Sequence, residues 1–292
     1  MAPIDLPGSD PGTGPTARRM ILGTQLRRLR EKAGITRATA AWEIRASESK
    51  ISRMELGRVG FKERDVTDLL TMYGVHDPAE RAWAVQMVKE SNQPGWWQPY
   101  NDLVPSWFDN YIGLEEAAFR IRTYELMFVP GLLQTERYAR AVVSHGDPDS
   151  RDEDTERKVG LRMRRQKVLT GPKPPRVWAV LDAAVLERPI GGAGVLREQI
   201  DKLLELTELP HIALQVVPFD LSGFAAESAF SLLQFAEPDL PNIAYVEHLN
   251  GASYLEKPED LEVYGRAFDR LTVDAETPDR TRQMLLKKRA EL

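Results

Sequence analysis

The sequence predicts an α+β protein in two parts: a small N-terminal domain of five helices, then a larger C-terminal domain mixing helices with a sheet. Three observations carry this. Up to about residue 90, apolar residues recur at helical spacing with helix-capping residues at the breaks. Beyond residue 175, short runs rich in Val, Ile, Leu and Phe give a strand, a helix and then several strands, the order of an α+β domain. Between them Gln93-Pro-Gly-Trp-Trp-Gln-Pro-Tyr100 interrupts the helical period with two prolines and a glycine, marking a junction.

Composition narrows the class. The chain has 292 residues, 42% of them hydrophobic, enough for two folded domains. It has no cysteine, which excludes disulfides, thiolate metal sites and cysteine nucleophiles together. No run of eighteen apolar residues exists, so a membrane span is not expected. Residues 1–16 are rich in Pro, Gly and Asp without the basic-then-apolar order of a secretory signal, so a disordered tail and a cytoplasmic protein are expected. The net charge of −5 hides an asymmetry. Residues 17–64 hold thirteen Lys or Arg against five Glu, a surplus of +8, and with −2 in the tail the remainder carries −11. A basic module on an acidic body suits a nucleic-acid binder with a separate sensing or assembly domain.

The domain predicted over residues 17–90 opens with a helix from Arg18 to Ala33, with Ile21, Leu22, Leu26 and Leu29 as its apolar side and Arg27, Arg28, Arg30 and Lys32 as its polar one; Gly34 stops it. Thr36 caps a second helix whose small residues Ala40 and Ala41 allow a close neighbour. Ser47 caps a third, closed by Gly57; in it Ile51 and Met54 face inward, leaving Glu48, Ser49, Lys50, Ser52 and Arg53 outward. Two short helices about a tight turn, the second with a polar outer face, form a DNA-reading element. Val66, Leu69, Leu70 and Tyr73 mark a fourth helix, and Asp77-Pro78 opens a fifth.

Residues 91–112 are expected to be an aromatic-rich junction. Trp96, Trp97, Tyr100, Trp107 and Tyr111 either line a ligand pocket or pin the junction by burying large rings. In the domain predicted over residues 113–292, the helical pattern resumes from Leu114 to Met127, and Thr135 caps a helix running to about His145. A charged helix follows from Asp152 to Leu169, with a basic face that either solvates the helix or touches DNA backbone. Strands are expected at 176–181, 211–218, 229–235 and 243–248, with a helix at 195–206; Asn250-Gly251 signals a hairpin to Ser253–Glu256, and two helices finish the chain.

Leu26-Arg-Arg-Leu-Arg-Glu-Lys-Ala-Gly34, Ser49-Lys-Ile-Ser-Arg-Met-Glu-Leu-Gly57 and Asp65-Val-Thr-Asp-Leu-Leu-Thr-Met-Tyr-Gly-Val75 together resemble the lambda-repressor-like, XRE-type helix-turn-helix regulators. Pro130-Gly-Leu-Leu-Gln-Thr135, Arg162-Met-Arg-Arg-Gln166 and His211-Ile-Ala-Leu-Gln-Val-Val-Pro218 resemble the long C-terminal domain of an actinobacterial, antitoxin-like group of them. The resemblance implies a phosphate contact where Arg37 stands in place of the usual glutamine, and a structural salt bridge between Arg30 and Glu55. It also implies a turn glycine where this chain has Arg45, at a strain of about 1 kcal/mol if the left-handed conformation is kept.

The expected function is transcription regulation by sequence-specific binding of double-stranded DNA, with a homodimer reading a near-palindromic operator. Arg27, Arg28, Thr36 and Arg37 are assigned to phosphates, and Glu48, Ser49, Lys50, Ser52 and Arg53 to base edges. The alternatives are an antitoxin-like module that binds a small partner protein, and a small-molecule sensor. No catalytic residue, metal or cofactor is expected. His76, His145, His211 and His248 have no metal-ligand spacing, Gly191-Gly-Ala-Gly194 lacks a phosphate-loop lysine, Ser222-Gly223 and Ser228 lack an adjacent histidine, and Glu115 and Glu116 point to different sides of a helix.

Overall fold

The computed structural model describes residues 14–220 and 226–292, apart from the side chain of Ser106. Residues 1–13 of the expected tail and the Ser222-Gly223 loop lie outside the described residues. The chain divides into two compact units. The first comprises residues 1–98 with Asn110–Ala117 and Phe235–Pro241; the second comprises Pro99–Asp109, Ala118–Gln234 and Asn242–Leu292. This division is interleaved along the chain.

The first unit contains α1 (Pro15–Lys32), α2 (Arg37–Glu43), α3 (Glu48–Glu55), α4 (Glu63–Met72) and α5 (Pro78–Ser91). Sequence punctuation sets nearly every boundary. The Thr36, Ser47 and Asp77 side chains accept the first free amides of α2, α3 and α5, each cap worth about 1 kcal/mol. Gly34, Gly57 and Gly74 take positive φ just past α1, α3 and α4. Leu22, Leu26, Ile51, Met54, Val66 and Leu69 are almost wholly buried and form the centre of the bundle. The structure corrects the start of α1: Pro15 and Thr16 are helical, Thr16 is buried, and neither belongs to a tail. Part of α6 (Ser106–Ala117) completes this unit, so close to α1 that a β-carbon at Gly113 would lie 2.4 Å from the Thr16 hydroxyl oxygen.

The second unit is built on a six-stranded mixed sheet in the order β3-β2-β1-β4-β5-β6. Its strands are β1 (Arg120–Glu125), β2 (Arg176–Asp182), β3 (Ile212–Val217), β4 (Phe230–Gln234), β5 (Ile243–His248) and β6 (Gly251–Leu255). β1, β2 and β3 run parallel, and β4, β5 and β6 continue antiparallel. Between β1 and β2 lie α7 (Glu136–Gly146) and α8 (Asp152–Arg165), and between β2 and β3 lie α9 (Ala184–Glu187) and α10 (Ala193–Leu206). The chain ends with α11 (Pro258–Asp274) and α12 (Pro278–Glu291).

Tyr124, Val180, Phe230, Leu232, Ala244 and Val246 pack with Phe268 and Leu271 of α11, so these strand positions face α11 and their neighbours in sequence face the other side. The helix expected over 114–127 is a second correction: α6 ends at Ala117, and 120–125 is a central strand. Its alternation of Arg, Ile, Arg, Thr, Tyr and Glu suits a strand in which Ile121, Thr123 and Tyr124 are buried. The charged helix is also shorter than expected, ending at Arg165 in a 3-10 turn over Gln166–Thr170.

Candidate nucleic-acid interface

The reading helix α3 is seated on α1 through glycine. A β-carbon at Gly23 would lie 2.4 Å from the Met54 carbonyl oxygen and 2.8 Å from that of Glu55, and one at Gly57 would lie 2.6 Å from the Met20 Cα. Backbone thus meets backbone at both crossings, and only hydrogen fits. Gly23 was missed in the sequence. Its signal was a glycine in the middle of a helix, which costs about 1 kcal/mol relative to alanine and so needs a packing reason.

A buried ion pair fixes the same helices from the other side. The Arg30 guanidinium donates to Glu55, with Nη2 3.1 Å from Oε2, and its Nη1 donates to the Ile35 carbonyl at 2.9 Å. Both side chains are buried, and the bond to Glu55 raises the Arg30 pKa against the opposing effect of burial. Arg37, in the first turn of α2, donates to the same carboxylate at 3.0 Å while remaining partly exposed.

On the outer face of α3, Glu48, Ser49 and Arg53 are exposed, and Ser52 is partly so. Arg53 Nε donates to the Ser49 carbonyl at 3.3 Å, keeping the guanidinium along the helix. Lys50 is held differently: its ammonium lies 2.6 Å from Asp65 Oδ2 at the start of α4. Reading a base edge with Lys50 requires breaking that bond.

Among the residues assigned to phosphates, Arg27 is exposed and bonded to Glu31 at 2.9 Å, a bond that holds the Glu31 carboxyl below the usual range. Thr36 spends its hydroxyl on the Thr39 amide at 3.1 Å. Arg28 pairs with Asp239, which also accepts from Gln25 in a buried bond. No spacing rule links positions more than two hundred residues apart. The turn between α2 and α3 keeps its left-handed residue, with Arg45 at φ +52, the one positive φ on a non-glycine residue among those described.

The five junction aromatics do not gather in either unit. Trp96, Trp97 and Tyr111 belong to the first, Tyr100 and Trp107 to the second. Trp97 is buried edge-on to Trp96 at 5.7 Å and fills the space over Gly95 and Gly113, while the Trp107 carbonyl accepts from the Tyr254 hydroxyl at 2.7 Å. The basic face of α8 is engaged inside its own unit: Arg157 binds Asp102, Lys158 binds Asp147, and Arg165 lies over the Phe108 ring.

The profile of a family described as a helix-turn-helix domain matches residues 21–84, which hold α2, the turn and α3. A second profile, described as a domain of unknown function (DUF5753), matches residues 108–287. The chain belongs to the DUF5753 family. No curated protein and no solved structure matches it. This DUF5753 protein therefore joins a helix-turn-helix DNA-binding domain to an α+β domain whose role its family description leaves open. Among the described residues, no helix is long and apolar enough to cross a membrane.

Proposed function

We propose that this protein is a cytoplasmic, non-enzymatic transcriptional regulator that reads a near-palindromic operator as a homodimer, its two α3 helices entering major grooves one helical turn, about 34 Å, apart. The observation that carries the reading is the division of labour on α3. Ile51 and Met54 are buried against the bundle, while Ser49, Ser52, Arg53 and Glu48 are presented outward from a capped helix on a basic domain. We read it as an XRE-type, lambda-repressor-like member of the actinobacterial antitoxin-like group, on the motifs quoted above. A second reading, capture of a small partner protein by the C-terminal domain, is supported by the exposed Val263 and Val273 on α11 and Leu286 on α12.

The test is to recover bound DNA by genome-wide mapping, then measure affinity for the recovered site and for unrelated DNA at one salt concentration. The full chain should prefer the recovered site and run as a dimer by light scattering. Joint replacement of Ser49 and Arg53 by alanine should remove the preference with circular dichroism unchanged, each lost base contact costing about 1–3 kcal/mol. An unchanged specificity ratio would remove α3 from the reading surface. A stoichiometric polypeptide that copurifies from the native host supports the second reading.

A further inference from the structure

We propose that the cavity enclosed by α1, α4 and α5 in the helix-turn-helix bundle binds a small neutral molecule with an apolar body and one hydrogen-bond donor, the donor meeting the Glu80 carboxylate. The site goes beyond the operator reading and does not depend on it. The cavity and its mouth enclose about 310 Å³. That is the lower end of the range for small-molecule sites, about 300–1,000 Å³, so the occupant is fragment-sized. All of its walls belong to the first unit. Leu22, Leu26 and Leu29 form one stripe along α1, Leu70 bounds the cavity at α4, and Ala84 bounds it at α5. Most of these are almost wholly buried, whereas Leu29 and Trp83 are partly exposed and mark the mouth.

Two polar side chains interrupt this apolar wall, and both are more than nine-tenths buried: Gln25 is 5% exposed and Glu80 7%. Gln25 is fixed from outside the cavity, because its Nε2 donates to Asp239. Glu80 sits in the first turn of α5, where the free amides and the helix dipole favour a negative charge. A carboxylate offers about four acceptor positions, so it can take a donor from a ligand in addition to the bonds it makes within the protein. Protein interiors leave few voids larger than a water molecule. A bundle that needed only to pack would close this one with a side chain longer than Ala84 and would not place a carboxylate in its wall.

The charges select a neutral occupant. Residues 17–64 carry a surplus of +8, and the field of that basic module disfavours a cation at the mouth. An anion that passes the mouth meets the Glu80 carboxylate in a site of low dielectric and is repelled there. A molecule with no donor fills the space between the leucines but leaves the one acceptor in the wall without a contact from the ligand. A single O–H or N–H on an apolar body satisfies both requirements, and a hydrogen bond to a carboxylate is of the stronger, charge-assisted kind.

The experiment follows the methyl resonances of the methyl-labelled full chain during titration with phenol, with its isostere toluene, and with protonated benzylamine and benzoate. Phenol should bind saturably at one site, shifting the methyls of Leu26, Leu29 and Leu70 and leaving those of Val180 and Leu232 in the sheet unmoved. The two ions should bind about tenfold more weakly than phenol or worse. E80M keeps the volume of the wall and removes the acceptor, so the ratio of phenol to toluene affinity should fall about tenfold while toluene still binds. A84L fills the cavity and should abolish binding of both, with circular dichroism unchanged. Should A84L fail to fold, the methyl map of the parent and the E80M ratio carry the test by themselves. No saturable phenol binding, shifts confined to methyls outside the cavity, an unchanged ratio in E80M, or ions that bind as well as phenol each overturns the proposal. None of these outcomes involves DNA, so the operator experiment is judged separately.

Discussion

Arg27 and Arg30 lie three residues apart on α1 and do opposite work. Arg27 is exposed, and its bond to Glu31 is an i,i+4 surface pair worth a few tenths of a kcal/mol, easily exchanged for a phosphate. Arg30 is buried and shares the Glu55 carboxylate with Arg37. Arg30→Ala strands that carboxylate in a dry site. It should cost about 3–5 kcal/mol, less whatever Arg37 recovers. Urea unfolding checks this; a variant as stable as the parent that merely binds DNA less well would move Arg30 to the contact set. Arg45 makes the opposite prediction. It is exposed and held at φ +52, where a β-carbon crowds the following carbonyl. Arg45→Gly should stabilise the protein by up to about 1 kcal/mol, the gain being reduced by the greater freedom of glycine in the unfolded chain. A lower melting temperature would mean that the Arg45 side chain contributes more than its backbone costs.

Among elements, the decisive contact is α1 against α3. Gly23 lets a carbonyl of the reading helix approach where any side chain would collide with backbone, and backbone cannot rotate away as a flexible side chain can. Gly23→Ala should therefore destabilise the first unit by about 1–3 kcal/mol, although alanine is the better helix former. The check is equilibrium denaturation beside an exposed control such as Ala33→Gly; a neutral or stabilising result would show that α1 slides freely over α3. The strand β1 teaches the complementary lesson. Its run of alternating charged and apolar residues follows directly on α6, and the residues 114–127 keep enough apolar spacing to read as one helix. Only pairing with β2 on one side and β4 on the other makes 120–125 the centre of a sheet.

At the scale of the molecule, the DNA-binding unit is not a contiguous stretch of chain. Residues 110–117 and 235–241 belong to it, the latter supplying Asp239 to Gln25 and Arg28. A fragment of residues 14–98 lacks both segments and leaves Thr16 and Trp97 uncovered at Gly113. It should melt lower than the full chain. As a lone half-site reader it should also bind the operator about 100-fold more weakly or worse, because tethering two modules raises the effective concentration of the second. Both quantities can be measured under one salt condition. A fragment that melts and binds like the whole chain would show that neither segment matters to the reading domain.

By itself the sequence determined the local features. The caps at Thr36, Ser47, Asp77 and Thr135 each bind an amide two or three residues away, and Gly34, Gly57 and Gly74 close their helices at positive φ, so these are visible in a short window. The inward and outward sides of α3, and the five strands after residue 175, follow from spacing in the same way. Tertiary structure alone decided which basic groups are tied to a distant partner. Lys50 is held by Asp65, Arg28 by Asp239, and the α8 arginines by their own domain, through partners up to 211 residues distant in sequence. It also placed Glu125 at the end of β1, where burial raises the carboxyl pKa. The physical reason is common to all of these: a cap or a helical face is an interaction within one turn of chain, whereas an ion pair or a desolvated carboxyl depends on which distant segments arrive beside it.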